Sequence, residues 1–307
     1  MISVIIPFKK SSKYIRECLN YLEKQTYKNY EVILLPDEKD VFNYQKVKVV
    51  VTGRIGPAQK RDIGAKRAKG EILAFIDDDA YPDKDWLKNM VQNFENRDIA
   101  AVGGPGVTPP DVSWQEKASG WFSASILGGG PNAYRFLPQT KRFIDDYPSM
   151  NLAVRKSDFF KVAGFDSNFW PGEDTKLCLD LTHKLGKNII YDPKVLVYHH
   201  RRPIWILHLR QNGNYGLHRG YFARSLPKTS FRLVYFLPSF LVLALFILPY
   251  IVIPLYSLLL ILNGLWVAVK SRSLFQSIIS IPVVFLTHVC YGVRFIQGFL
   301  FTRKLYR

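Results

Sequence analysis

Three carboxylates in succession, Asp77-Asp78-Asp79, follow the apolar run Ile72-Leu73-Ala74-Phe75-Ile76. Charges of one sign this close repel one another unless a cation sits among them. Hard divalent ions that keep several waters and bridge phosphates take one or two such carboxylates. The plainer reading is a cap for the following helix, since Asp caps well. A second acidic group, Gly172-Glu173-Asp174, follows Phe169-Trp170-Pro171. Such a pair complements a helix macrodipole. Beside aromatic rings a carboxylate also loses water, its pKa rises, and it becomes suited to general-base work. A third group is Tyr198-His199-His200-Arg201-Arg202. An imidazole there could ligate a metal, and paired arginines could clamp a diphosphate; a solvated basic segment is the alternative. A fourth is Ile55-Gly56-Pro57-Ala58-Gln59-Lys60-Arg61-Asp62-Ile63-Gly64-Ala65, a loop entering a helix with an arginine, which suits a nucleotide. It matches neither the dinucleotide glycine fingerprint nor the P-loop.

The elements that must position these groups are legible as alternating strands and helices. Apolar runs at 2–6, 30–35, 47–51, 71–76 and 99–103 read as buried strands. Segments 12–25, 57–69 and 83–95 read as helices between them. This alternation predicts a parallel, doubly wound sheet, whose ligands lie at the carboxyl ends of the strands. Residues 104–150 are rich in Gly, Pro and aromatics, including Trp114, Trp121, Phe122 and Gly128-Gly129-Gly130-Pro131. They read as a long functional excursion rather than a linker. Regular structure resumes at Asn151-Leu152-Ala153-Val154, with a helix at 174–186 and a strand at 188–191.

Charge divides the chain. Of its 307 residues, 1–192 hold 28 Lys+Arg and 25 Asp+Glu, a net of +3, and 193–307 hold 14 Lys+Arg and no acid, a net of +14. The total of +17 invites a nucleic-acid partner. Most of it, however, flanks an apolar region, and no nucleic-acid motif accompanies it, so nucleic acid is not expected. Residues 233–269 are 37 positions without an acidic or basic side chain. As one helix they would be about 55 Å long against a hydrocarbon core of about 30 Å. Pro249 and Pro254 predict a break, giving a membrane hairpin at 233–250 and 253–269. Lys228 and Arg232 before it, and Lys270 and Arg272 after it, place both ends in the cytosol. The third apolar stretch, 274–301, carries His288 and Arg294 and reads as an interfacial or third membrane helix. Arg201, Arg202, Arg210, Arg219, Arg224 and Lys228 would then meet anionic headgroups or a lipid-linked phosphate. The chain starts directly on a strand, without a signal peptide. Cys18, Cys178 and Cys290 form no ligand spacing or disulfide framework. Both features favour a reducing, cytoplasmic setting for the first part.

The order Ser3-Val4-Ile5-Ile6-Pro7, Glu31-Val32-Ile33, Arg61…Gly64-Ala65…Ala68-Lys69-Gly70-Glu71, Phe75-Ile76-Asp77-Asp78-Asp79 and Gly164-Phe165-Asp166…Gly172-Glu173-Asp174 resembles family 2 glycosyltransferases with the GT-A fold. The resemblance implies a GT-A nucleotide-sugar-binding catalytic domain at 1–200, followed by a basic juxtamembrane segment at 201–232 and a membrane region at 233–307. It implies that Pro7, Asp37, Arg61, Asp77 and Asp78 surround a UDP-, GDP- or dTDP-sugar. Asp79 and His199 would hold Mg2+ or Mn2+, and Asp174, supported by Glu173, would be the catalytic base. Met150, Asn151, Trp170, Arg201 and Arg202 would face the donor sugar and the acceptor. The implied activity is inverting transfer to a polysaccharide or lipid-linked glycan at the cytoplasmic membrane face. The alternatives are a polyprenyl-phosphate sugar synthase and a non-enzymatic membrane-tethered module binding anionic lipid or nucleic acid. The Gln-x-x-Arg-Trp motif of processive synthases is absent.

Overall fold

The computed structural model describes residues 1–165 and 172–305. In chain order its elements are β1 (Ile2–Pro7), α1 (Lys13–Glu23), β2 (Tyr30–Leu35), β3 (Val47–Val49), α2 (Pro57–Arg67), β4 (Ile72–Ile76), β5 (Ala80–Pro82), α3 (Trp86–Asn93), β6 (Ile99–Gly103), β7 (Gly106–Val107), α4 (Trp114–Ala124), α5 (Ile126–Gly129), β8 (Arg142–Ile144), β9 (Asn151–Arg155), α6 (Lys156–Lys161), α7 (Glu173–Leu179), β10 (Asn188–Tyr191), β11 (Val197–His199), α8 (Ile206–Ser225), α9 (Pro227–Ser230), α10 (Leu233–Ile247), α11 (Pro249–Ser271) and α12 (Leu274–Ile296). They form two compact units. One is Met1–Val107 with Pro138–His199; the other is Thr108–Leu137 with His200–Arg307. The catalytic segment expected as continuous over 1–200 thus gives up Thr108–Leu137 to the C-terminal helices.

The first unit is built on an eight-stranded sheet of order β3-β2-β1-β4-β9-β6-β10-β8. β1, β2 and β4 are apolar along almost their whole length and buried, as expected of strands covered on both faces. The α2 helix lies against them through Gly64, where an added Cβ would come within 2.6 Å of Ile5. The sheet is mixed rather than wholly parallel. β9 runs antiparallel between β4 and β6, with Asn151 opposite Ile76 and Arg155 opposite Ile72. The long excursion after β6 brings the chain back at the carboxyl edge of the parallel strands, so β9 has to run down from that edge. A second sheet of order β5-β11-β7, not foreseen from the sequence, sets His199 opposite Ala80.

In the second unit α12 packs against α4, α8, α10 and α11. Ala118 and Phe122 of α4 join Ile204, Tyr256, Leu260, Val283 and Val284 in one apolar cluster. Ser119 and Thr287 bond the two ring nitrogens of the buried His208 at 2.9 and 3.0 Å. A glycine seam on α8 brings backbones together. A Cβ on Gly216 would lie 2.5 Å from the Tyr291 carbonyl oxygen, and one on Gly220 would lie 2.2 Å from that of Phe295.

The apolar run 233–269 divides one step earlier than its prolines predicted. The break is at Leu248, and Pro249 opens α11 as its first residue, where its missing N–H costs nothing. Pro254 lies inside α11 without ending it. At 15 residues, α10 is about 22 Å long and short of the hydrocarbon core. Among the described residues, the helices long and apolar enough to cross a membrane are the second and third stretches, Pro249–Ser271 and Leu274–Phe301. Phe246, Tyr250, Ile251, Leu265, Val269 and Ile278 are exposed, an apolar surface that a water-soluble monomer rarely presents.

Candidate active site

The site is built at the carboxyl edge of the first unit's sheet. β4 is buried through Ile76, so the chain leaves the sheet at Asp77 and the carboxylates emerge where the strand ends. β5 follows at once, and its antiparallel pairing with β11 carries His199 back beside Asp79. His199 Nε2 lies 3.0 Å from Asp79 Oδ1. One ligand atom from each of Asp77, Asp79 and His199 falls within 4.8 Å of the others, the only such group among the described residues. Two carboxylates and an imidazole form a donor set that suits a divalent ion of the Mn2+ type, which accepts both oxygen and nitrogen. Asp79 and His199 are therefore brought together as expected, and Asp77 joins them rather than standing with the nucleotide contacts alone. Asp78 is part-exposed beside them.

The second acidic group is connected to the first. Arg61 donates through one terminal nitrogen to Asp77 at 2.8 Å and through the other to Glu173 at 3.1 Å. Its guanidinium also lies 5.6 Å from the centre of the Phe165 ring. Arg61 is 4% exposed. Expected around the base and ribose, Arg61 thus has both ends of its guanidinium fork on carboxylates of the site.

Asp174 stands at the first turn of α7, where backbone N–H groups point outward. Its carboxylate accepts the Thr175 N–H at 2.8 Å and the Ser149 N–H at 3.3 Å. Removal from bulk water, then the neighbouring charges of Glu173 and Asp146, push its pKa up to about 7. Asp146 is itself buried and accepts the Thr175 hydroxyl at 3.0 Å. Sequence reasoning passed over Asp146 because it sits in the irregular excursion. It also passed over Lys60, which is buried with its ammonium on the Phe8 and Leu35 carbonyls and on Asp37. That bond fixes Asp37 at the end of β2, and Pro7 is buried at the end of the neighbouring β1. The available signal was the spacing: Gly64 and Ala65 lie one turn on from Lys60 and Arg61, marking their face as the one that meets the sheet.

Two expected sugar contacts are corrected. Asn151 is fully buried; its amide nitrogen donates to the Gly104 and Val195 carbonyls, and its oxygen accepts the Trp86 indole N–H. Met150 is buried too, and its thioether methyl packs on Gly106. As the first residue of a strand flanked on both sides, Asn151 pins the sheet rather than facing a ligand. Trp170 lies outside the described residues. Arg201 and Arg202 belong to the second unit, where Arg201 lies 4.8 Å from the Phe136 ring and Arg202 is exposed.

Residues 3–159 match the family described as Glycosyl transferase family 2. The dolichyl N-acetyl-alpha-D-glucosaminyl phosphate 3-beta-D-2,3-diacetamido-2,3-dideoxy-beta-D-glucuronosyltransferase of Methanococcus voltae is 24% identical over 97% of each chain. The glucosyl-dolichyl phosphate glucuronosyltransferase of Haloferax volcanii is 28% identical over 47% of each. Among solved structures, a mannosyltransferase from Pyrobaculum calidifontis in complex with GDP-Man and Mn2+ superposes with a TM-score of 0.60. It covers 97% of this chain and 87% of that one at 15% identity, a likeness of fold.

Proposed function

Because the chain belongs to glycosyl transferase family 2 and its sheet unit has the GT-A α/β fold, we propose that it is an inverting, metal-dependent transferase moving a sugar from a nucleoside-diphosphate donor to a lipid-linked glycan. The observation that carries this reading is the joining of two acidic centres by one arginine at the carboxyl edge of the sheet: Asp77, Asp79 and His199 on one side, Glu173 and Asp174 on the other. The lipid-linked acceptor draws support from the dolichyl phosphate named for two relatives and from the two span-capable helices. A multi-pass anchor with the catalytic unit on the cytoplasmic side fits the acid-free, basic character of residues 193–307.

Asp77, Asp79 and His199 would hold the cation, which when bound neutralises charge on the leaving diphosphate. Lys60 fixes Asp37 at the neighbouring strand end, where the nucleoside would rest. The Thr175 and Ser149 N–H groups hold the Asp174 carboxylate in place, and with a pKa near 7 it is matched to removing a proton from a hydroxyl. The acceptor oxygen forms its bond to the anomeric carbon on the face opposite the leaving group. The bond from that carbon to the diphosphate oxygen breaks, and the acceptor proton ends on Asp174.

The test is thermal unfolding of the full chain with UDP-, GDP- and dTDP-sugars, with and without Mn2+. One donor at a hundredfold its Kd should add about 2.7 kcal/mol of stability, only when Mn2+ is present, and Asp79→Ala should remove the gain. The absence of any shift with all donors would overturn the assignment.

A further inference from the structure

Arg61 carries one charge and faces two acidic centres. Its nitrogens lie 2.8 Å from Asp77 and 3.1 Å from Glu173; the Arg61 and Glu173 side chains are 5% and 8% exposed and that of Asp77 33%, so screening is weakest on the Glu173 side. In such a setting Coulomb interactions are poorly screened, so anything that changes the charge on one carboxylate changes the hold of the guanidinium on the other. Asp77 also offers an oxygen to the cluster with Asp79 and His199. A cation bound there and the Arg61 guanidinium are two positive groups drawing on the same carboxylate.

We propose that Arg61 competes with the divalent cation for Asp77, and that Glu173 sets the balance by holding Arg61 back. Glu173 is then a positioning residue for the cation site: it touches no ligand atom there and acts through Arg61. Loading of the site draws Asp77 toward the cation and shifts Arg61 onto Glu173, so the arrival of the donor is registered at the residue next to Asp174. This inference rests on the reading of Asp77, Asp79 and His199 as the cation site.

The arrangement is measurable without turnover. Free Mn2+ is followed by electron paramagnetic resonance as it is titrated with the full chain, without nucleotide. Glu173→Gln keeps the shape and the acceptor oxygen but loses the charge, and it should weaken Mn2+ binding roughly fivefold or more. Arg61→Met removes the competitor and should tighten it. In the Arg61→Met background, Glu173→Gln should change the affinity less than about twofold, because its route is gone. If Arg61→Met fails to fold, Arg61→Lys serves in its place. A point ammonium does not span both carboxylates as the fork does, so the Glu173→Gln effect should again shrink. An equal effect of Glu173→Gln in both backgrounds would mean that its charge acts directly, and the competition would be refuted. So would unchanged Mn2+ affinity in Arg61→Met. If the unaltered chain binds no Mn2+, the cation site itself falls and this inference with it; Mn2+ binding without coupling removes the inference alone.

Discussion

Asn151→Leu is a decisive test of whether the carboxyl edge is built as described. Leucine matches asparagine closely in shape, so the change removes hydrogen bonds rather than volume. The buried asparagine amide donates to Gly104 O at 2.6 Å and Val195 O at 2.7 Å, and accepts from Trp86 Nε1 at 2.9 Å. The Gly104 carbonyl keeps a second donor, the Tyr147 hydroxyl at 2.7 Å. The Trp86 indole N–H and the Val195 carbonyl lose this partner. Each buried polar group left unsatisfied costs about 1–3 kcal/mol, so the pair should cost about 4 kcal/mol. At about 2–4 °C per kcal/mol for a domain of this size, the melting temperature should fall by roughly 10 °C. The assay is thermal unfolding of the full chain in detergent, with sugar transfer measured well below the transition. The structural role predicts a large fall in melting temperature, with donor KM close to that of the unaltered enzyme in the fraction still folded. A melting temperature within about 2 °C of the original, together with a raised donor KM, would refute the reasoning and return Asn151 to the sugar.

Other outcomes follow from the same geometry. Asp174→Asn should abolish transfer while leaving Mn2+-dependent donor binding intact; turnover that survives would favour an acceptor that is already ionised, such as a polyprenyl phosphate. With Asp174 as base, kcat/KM should rise with pH through an acid limb near 7 and flatten above it. The same raised pKa means that the folded state holds this proton more tightly than the unfolded chain. Its stabilising contribution is therefore full below about 3.8 and is lost as pH rises toward 7, which Asp174→Asn should flatten in a pH series of melting temperatures. In the second unit, Gly216→Val should sharply reduce folded yield, because a Cβ there meets backbone 2.5 Å away. Gly264→Ala, whose Cβ would find only side chains at 3.4 Å, should be mild.

What was readable in the sequence followed from local rules. An apolar strand that ends in Asp77-Asp78-Asp79 announces both the strand and the edge at which a ligand is expected, and the structure ends β4 at Ile76, directly before those carboxylates. The return of His199 depended on the small β5-β11-β7 sheet, whose strands of two or three residues carry no periodicity. Asn151 was misplaced for a related reason. An alternating or apolar run does not disclose whether its strand is parallel, and a polar residue at its start looks like a ligand contact until its neighbours on both sides are known. In the sequence Arg61 read as a nucleotide contact at a helix entrance, and Lys60 beside it carried no role of its own. Their burial becomes sensible only once Asp37, Asp77 and Glu173, which lie 16 to 112 residues away, are brought beside them. In the apolar third, composition showed that helices of membrane character exist, but a proline does not disclose whether it opens a helix or interrupts one. Pro249 does the first and Pro254 sits within.

The backbone passes between the two units at Val107/Thr108, Leu137/Pro138 and His199/His200. A truncation that keeps residues 1–200 would therefore not yield a soluble catalytic fragment. It would retain Ala118 and Phe122 while deleting Ile204, Tyr256, Leu260, Val283 and Val284, the side chains that cover them. Such a fragment should aggregate for want of that cover, whatever the quality of its sheet. Freeing the sheet unit calls for cuts at all three crossings, with 108–137 replaced by a short polar connector and the C-terminal helices removed.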